Sequence, residues 1–188
     1  MYYSIKSNPF NERGIFDDPD LPDGVSFLRG ILIEWEPDAP LIFKSNCTAE
    51  SPPREYMGGA LPVWSKTMLK AFQSAGVDNI QKFQSVILGE DGQVKWDDYF
   101  AINVLGLVAA ADLSASRYTK IGERPSGLEF VGIHDTVIDP QKTHGLFFFR
   151  LAENPLELVV HECIIDHLKA NAPSRDWGIL LSELKESK

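Results

Sequence analysis

The sequence predicts an α+β fold, a single domain of mostly antiparallel β-sheet with a few short helices. Three observations carry this reading. Short apolar runs of strand length recur from residue 25 to residue 181, separated by Gly, Pro and Asp. Two segments, 66–75 and 162–171, space their apolar residues at helical intervals instead. Between them, Asp91-Gly92 is a strong local signal for a hairpin turn.

The elements follow in order. Residues 1–24 contain Asp17-Asp18-Pro19-Asp20-Leu21-Pro22-Asp23-Gly24, whose residue types favour turns, so this stretch is expected to be an acidic loop or a loosely attached arm. Val25 to Trp35 then supplies Phe27, Leu28, Ile31, Leu32, Ile33 and Trp35, a strand-compatible run stopped by Pro37 and Pro40. Leu41-Ile42-Phe43 reads as a second short strand, and Thr48 to Gly59, with Pro52-Pro53 and Gly58-Gly59, as a connecting loop.

Ser65 is a good N-cap, because its hydroxyl can accept a bond from an amide of the first helical turn. Met68, Leu69, Phe72 and Ala75 then share one face, and Gly76 can take the left-handed conformation that lets Val77 fold back toward Phe72. Ile80–Leu88 and Val94–Val108 are predicted strands around the Asp91-Gly92 turn, the second beginning late because Asp97-Asp98 interrupts it. Apolar residues of both parities from Tyr99 to Val108 predict a strand covered on both faces, in which Asn103 needs buried partners.

Leu128–His134, Thr136–Ile138, Leu146–Leu151 and Leu156–Val160 supply further short strands. A helix over Glu162–Asn171 has Ile164, Ile165 and Leu168 on one face and Pro173 as its stop, and a last strand follows at Trp177–Leu181.

With 188 residues, 44% apolar and 24% charged, the chain has the composition of a globular protein with a core of its own rather than a disordered one. Its two cysteines, Cys47 and Cys163, lie outside any disulfide-framework or zinc-knuckle spacing, so reduced thiols in a cytoplasm are expected. Met1 to Lys6 lacks the pattern of a secretory signal, and no run approaches the roughly 18 to 20 apolar residues needed to span a bilayer.

The net charge of −9 is unevenly spread. Between Asn11 and Asp38 lie Glu12, Asp17, Asp18, Asp20, Asp23, Glu34, Glu36 and Asp38 against only Arg13 and Arg29, a local net of −6. Such a field repels phosphate backbones and attracts basic proteins, so direct nucleic-acid binding is not expected. The same acidic side chains also read simply as a solvated surface that keeps the protein soluble.

Clusters that invite a catalytic reading do not assemble from sequence. The histidines of His161-Glu162-Cys163-Ile164-Ile165-Asp166-His167 are six apart, roughly 600° of helical rotation, and face opposite sides rather than one metal ion. Cys163 reads as a small core residue rather than a thiol nucleophile. His134-Asp135, with His144 and Asp112, would form a general base and its orienting carboxylate only if the fold brings them into one cleft. Asp112 to Ser116 otherwise reads as a strand-ending turn or helix cap. Phe147-Phe148-Phe149 alternates its rings between two faces, both expected to pack into core, with one side as a candidate exposed patch. No nucleophile elbow, Walker loop or dinucleotide fingerprint is present, so no cofactor is expected.

Four segments together resemble a bacterial immunity-protein family of polymorphic toxin systems, earlier known only as a domain of unknown function: Leu61-Pro62-Val63-Trp64-Ser65, Gly76-Val77-Asp78-Asn79-Ile80-Gln81, Tyr99-Phe100-Ala101-Ile102-Asn103-Val104-Leu105-Gly106 and Asp112-Leu113-Ser114-Ala115-Ser116. The tail is compatible through Phe148-Phe149-Arg150-Leu151-Ala152-Glu153 and Trp177-Gly178-Ile179, so the likeness covers about Leu61 to Leu181. It implies a non-catalytic cytoplasmic protein that neutralises a cognate toxin encoded nearby, commonly a nuclease of the HNH type.

A nuclease is basic around its cleft, so Asp17, Asp18, Asp20, Asp23, Glu34 and Glu36 are the expected contact residues. Two alternatives stand beside this reading. One is a small-molecule enzyme or ligand-binding domain around His134, Asp135, His144 and Asp112; the other is a scaffold or regulatory subunit with a different partner. Self-association through sheet edges, giving a homo-oligomer, is compatible with each.

Overall fold

The computed structural model describes residues 1–8, 14–123, 125–172 and 174–187. Glu12 and Arg13 of the acidic stretch, and the helix stop Pro173, lie outside the described residues. Along the chain come β1 (Tyr2–Ser7), β2 (Ile15–Asp17), β3 (Leu41–Ser45), β4 (Tyr56–Met57), β5 (Val63–Ser65), α1 (Lys66–Ser74), β6 (Ile80–Leu88) and β7 (Lys95–Val104). Next are β8 (Leu107–Val108), β9 (Arg117–Glu123), β10 (Glu129–Asp135), β11 (Val137–Ile138) and a 3-10 turn at Pro140–Thr143. The chain closes with β12 (Phe148–Leu151), β13 (Leu158–His161), α2 (Glu162–Asn171), β14 (Ile179–Glu183) and β15 (Lys185–Glu186). The fold is the expected α+β domain, mainly antiparallel, with parallel pairs at β3–β6, β8–β12 and β11–β15.

Two sheets and two helices build the central core. A six-stranded sheet of order β2-β3-β6-β7-β5-β4 contributes Trp64, Ile102 and Val104, and a five-stranded sheet of order β14-β1-β13-β12-β8 contributes Ile5, Phe148, Leu158 and Val160. Between them α1 inserts Met68, Leu69 and Phe72, and α2 inserts Ile164, Ile165 and Leu168. Trp64 is fully buried with its ring 4.6 Å from Phe72 and 5.6 Å from Phe148.

The outer face of the five-stranded sheet, with Tyr2, Val108, Phe149, Leu151 and Val159, is covered by Ala110, Ala111, Ile138 and Leu184. That of the six-stranded sheet, with Phe43, Val63, Phe83, Ile87, Tyr99 and Ala101, is covered by Phe27 and Ile33 and flanked by Ile15, Leu21, Val25 and Trp35.

Helix α1 forms as its sequence dictates. The Ser65 hydroxyl accepts from the Met68 N–H at 3.0 Å, and the Val77 N–H returns to the Phe72 carbonyl at 3.0 Å while Gly76 takes φ 95°. A second bond, Gly76 N–H to Gln73 carbonyl at 3.0 Å, completes the Schellman end. In the β6–β7 hairpin, Gly92 has φ 68° and the Asp91 carboxylate accepts from the Gln93 and Val94 amides at 2.8 and 3.2 Å.

Four expectations need correction. Residues 2–7 are not an arm: β1 lies inside the five-stranded sheet, paired with β13 on one side and β14 on the other. Its partners lie far away in the sequence, so local turn chemistry does not report them. Val25 to Trp35 forms no strand. Phe27 and Ile33 are buried, Ile31 and Leu32 stay exposed, and the backbone is held by side chains. Strand β7 begins at Lys95 rather than late, because a bulge opposite Ser85–Ile87 absorbs Asp97-Asp98, with Gln84 Nε2 donating to the Asp97 carbonyl at 2.6 Å. Cys163 is exposed on α2, whereas Cys47 is the buried thiol.

Strand β9, which is not among the strands expected above, pairs with β10 in a two-stranded ribbon. The triple phenylalanine divides three ways: Phe148 enters the central core, Phe149 the outer core of the five-stranded sheet, and Phe147 stays 46% exposed.

Candidate functional site

The acidic segment is tied to the sheet beneath it. Three anchors replace the missing backbone ladder. The Gln81 carboxamide accepts from the Ile33 N–H at 3.0 Å and donates to the Ile33 carbonyl at 2.7 Å. Asn103 Nδ2 donates to the Ile31 carbonyl at 2.8 Å and to Gln81 Oε1 at 3.1 Å, which partners the amide nitrogen, while the buried Oδ1 has no hydrogen-bond partner among the described residues. The Gly106 N–H donates to the Gly30 carbonyl at 2.9 Å. Packing completes the attachment, with Phe27 edge-on to Phe83 at 5.3 Å and Trp35 stacked on it at 6.2 Å.

With the apolar side turned inward, the carboxylates point out. Asp17, Asp18, Asp20, Asp23, Glu34, Glu36 and Asp38 are all exposed, and Arg29 is the one base among residues 14–38. Asp17 ends β2 and pairs with Lys44 Nζ at 2.7 Å across the β2–β3 ladder. Beside it, Asp18 is held above the ordinary carboxylate range, first by desolvation and then by the Asp17 charge.

Glu34 shares a cleft of about 270 Å³ with Val25, Leu32 and Trp35, and Glu36 shares one of about 450 Å³ with Asp38, Lys82 and Gln84. The acidic candidates thus share one continuous segment laid over one sheet face, although Asp17 and Asp18 sit at its β2 end and Glu34 and Glu36 beyond the Phe27 anchor.

Large apolar side chains stand exposed among these charges, and sequence reasoning did not single them out as contacts. Phe16 is 67% exposed, Leu32 62%, Ile31 51% and Ile42 51%. Apolar runs read as strand core in a sequence; the signal that separates these is their position in a segment broken by Pro, Gly and acidic residues. A charged surface with apolar anchors suits recognition of a folded partner, where a few large desolvated side chains supply most of the affinity and the charges supply orientation.

The alternative site does not assemble. His134 and Asp135 reach one shallow cleft of about 220 Å³, but neither His144 nor Asp112 lines it. Each member is committed locally. His134 Nε2 lies 3.1 Å from Thr119 Oγ1 across the β9–β10 ribbon, and Arg117 Nε donates to Asp135 at 2.7 Å and holds its carboxyl below the usual range. Asp112 accepts from the Ser114 amide and hydroxyl at 3.1 and 2.6 Å, which holds it low, as befits the expected turn. His144 ends the 3-10 turn with φ 55°.

On α2, His161 caps the helix by accepting from the Cys163 N–H at 3.3 Å, and His167 sits 2.9 Å from Ser74 Oγ. Although Cys163 is exposed, local desolvation, together with the nearby Glu162 and Asp166 charges, holds its thiol above the ordinary value, the opposite of nucleophile activation. Among the described residues no group of three or more His, Cys, Asp or Glu side chains is placed to hold a metal ion, and no helix is long and apolar enough to cross a membrane.

The model of an immunity protein family, Imm11, matches residues 10–185. No curated protein matches the chain. The match extends well before Leu61 and takes in the acidic segment. With nearly its full length matched, the chain belongs to the Imm11 immunity protein family and is a non-catalytic protein that binds and neutralises a cognate toxin.

Proposed function

We propose that the cognate toxin is a basic nuclease domain encoded beside this chain, and that it is bound in the cytoplasm through Asp17, Asp18, Asp20, Asp23, Glu34 and Glu36. The observation that carries this reading is the anchored segment over residues 14–38, which displays seven carboxylates against one arginine. A nuclease must attract phosphate, so the charge that draws its substrate also draws this surface. Covering a phosphate-binding cleft with fixed carboxylates excludes nucleic acid by occupancy and by sign. The exposed Phe16, Ile31, Leu32 and Ile42 give the contact an apolar component that salt does not screen.

The test is protection. The product of the neighbouring gene is expressed in cells with and without this chain, and survival, DNA and RNA integrity and copurification are followed. Rescue with intact nucleic acid and a stable complex is the expected result. Rescue from a toxin that leaves nucleic acid intact would overturn the nuclease assignment, and a toxin that kills regardless would overturn the pairing.

A further inference from the structure

Strand β6 is only half covered on its β3 side. Strand β3 runs parallel to β6 and reaches it at four positions, Leu41 to Lys44 against Ser85 to Leu88. Pro40, immediately before β3, has no N–H to continue the ladder, and residues 36–40 are not in strand but line a cleft with Gln81 to Gln84. Along Ile80–Gln84 no strand of the described residues pairs with this edge. Gln81 fills part of the gap with its side chain, bonded to the backbone of Ile33.

The register shows which groups this edge presents. The Leu105 N–H donates to the Asn79 carbonyl at 2.8 Å, and Asn79 and Leu105 continue the register that pairs Ile80 with Val104 and Gln81 with Asn103. Hydrogen-bonded pairs alternate in an antiparallel ladder, so Gln81 and Phe83 direct their N–H and C=O groups at β7, and Lys82 directs its own away from it. The Lys82 groups face the cleft of about 450 Å³ formed by Gln81 to Gln84 on one wall and Glu36 to Pro40 on the other. The Lys82 side chain leaves the edge, with its ammonium 5.5 Å from the Phe100 ring centroid. Glu36 and Asp38 stay exposed on the opposite wall.

We propose that this edge takes an extended segment of the toxin as an added strand, and that the segment carries Lys or Arg where it passes Glu36 and Asp38. Backbone bonds to Lys82 set its register, because an unpaired strand edge templates another strand. The carboxylates across the cleft select its charge. At about 3.3 Å per residue, the five positions from Ile80 to Gln84 offer about 16 Å of edge. This inference rests on the toxin-binding reading and adds to it a place and a mode of contact.

The test uses the full chain and the purified, catalytically inactivated domain encoded by the neighbouring gene. Amide hydrogen exchange is read at single-residue level in the free chain and in the complex. Strand addition slows the Lys82 amide by about tenfold or more, as expected for an edge amide that gains a hydrogen bond. Lys82→Pro removes the outward N–H without touching the β7 ladder and weakens binding by about tenfold, whereas Lys82→Ala keeps the amide and changes it by less than about threefold.

A complex in which the Lys82 amide exchanges as fast as in the free chain overturns strand addition and leaves toxin binding standing. Equal loss in both variants assigns the contact to the lysine side chain and likewise overturns it. Absence of any complex overturns both readings. Should Lys82→Pro fail to fold, the exchange measurement on the unsubstituted chain decides.

Discussion

The carboxamide of Gln81 brackets the backbone of Ile33, accepting from its N–H at 3.0 Å and donating to its carbonyl at 2.7 Å. One side chain on β6 thereby does for residue 33 what a neighbouring strand would do. This contact ties the acidic segment to the sheet, and Glu34 and Glu36 follow directly from it. Gln81→Leu leaves both Ile33 groups without their partner and should cost about 1–3 kcal/mol. Denaturant unfolding measures the loss, and the Ile33 amide should exchange faster than in the unsubstituted chain. Gln81→Glu should recover the bond from the N–H only.

Gly76 ends α1 with φ 95°, and a Cβ built there meets nothing within 4 Å. Gly76→Ala therefore isolates backbone strain from packing. It should destabilise the fold by about 1–2 kcal/mol, the cost of an L-residue in the left-handed region. Thermal or urea unfolding of the single variant checks the figure.

Trp64 is fully buried among Tyr56, Phe72 and Phe148. Trp64→Ala should cost about 3–5 kcal/mol through lost burial and the cavity it leaves. Trp64→Phe, which keeps an aromatic ring in the site, should cost less, and equilibrium unfolding of the pair ranks them.

The Asp91 carboxyl is held below its ordinary value of 3.8 by the amides of Gln93 and Val94, which donate to its charged form. A carboxyl depressed on folding contributes stability above the unfolded value and loses it as pH falls through the folded one. The turn should therefore lose this contribution progressively as pH falls through about 3.8 toward the lower folded value. An NMR titration should place the Asp91 midpoint under that value, and Asp91→Asn should remove this part of the acid dependence.

Local chemistry made some of these elements legible in the sequence. Ser65 and Gly76 bound α1, Asp91-Gly92 sets the hairpin, and both-parity burial from Tyr99 to Val104 follows from a strand with core on each face. What escaped depends on distant partners. Tyr2–Ser7 is a strand because Leu158–His161 and Ile179–Glu183 flank it. The segment around Phe27 and Ile33 is ordered by Gln81 and Asn103, which a search for period-2 alternation does not register. Strand β9 carries little burial imprint, with Ile121 at 65% exposure, although the β-formers Tyr118, Thr119 and Ile121 were a usable signal. For the candidate site, the carboxylates were legible as charge. The apolar anchors Phe16, Leu32 and Ile42 were not, since exposure belongs to the fold.

Association kinetics across ionic strength show whether the acidic segment is the surface by which the chain meets its toxin. The partner is the inactivated domain from the neighbouring gene, and the chain is compared with a variant carrying Asp17→Asn, Asp18→Asn, Asp20→Asn, Asp23→Asn, Glu34→Gln and Glu36→Gln. Removing the field should lower the on-rate about 10- to 100-fold at low salt and flatten its salt dependence. An unchanged on-rate with the same salt slope would contradict the account and move the binding surface elsewhere on the molecule.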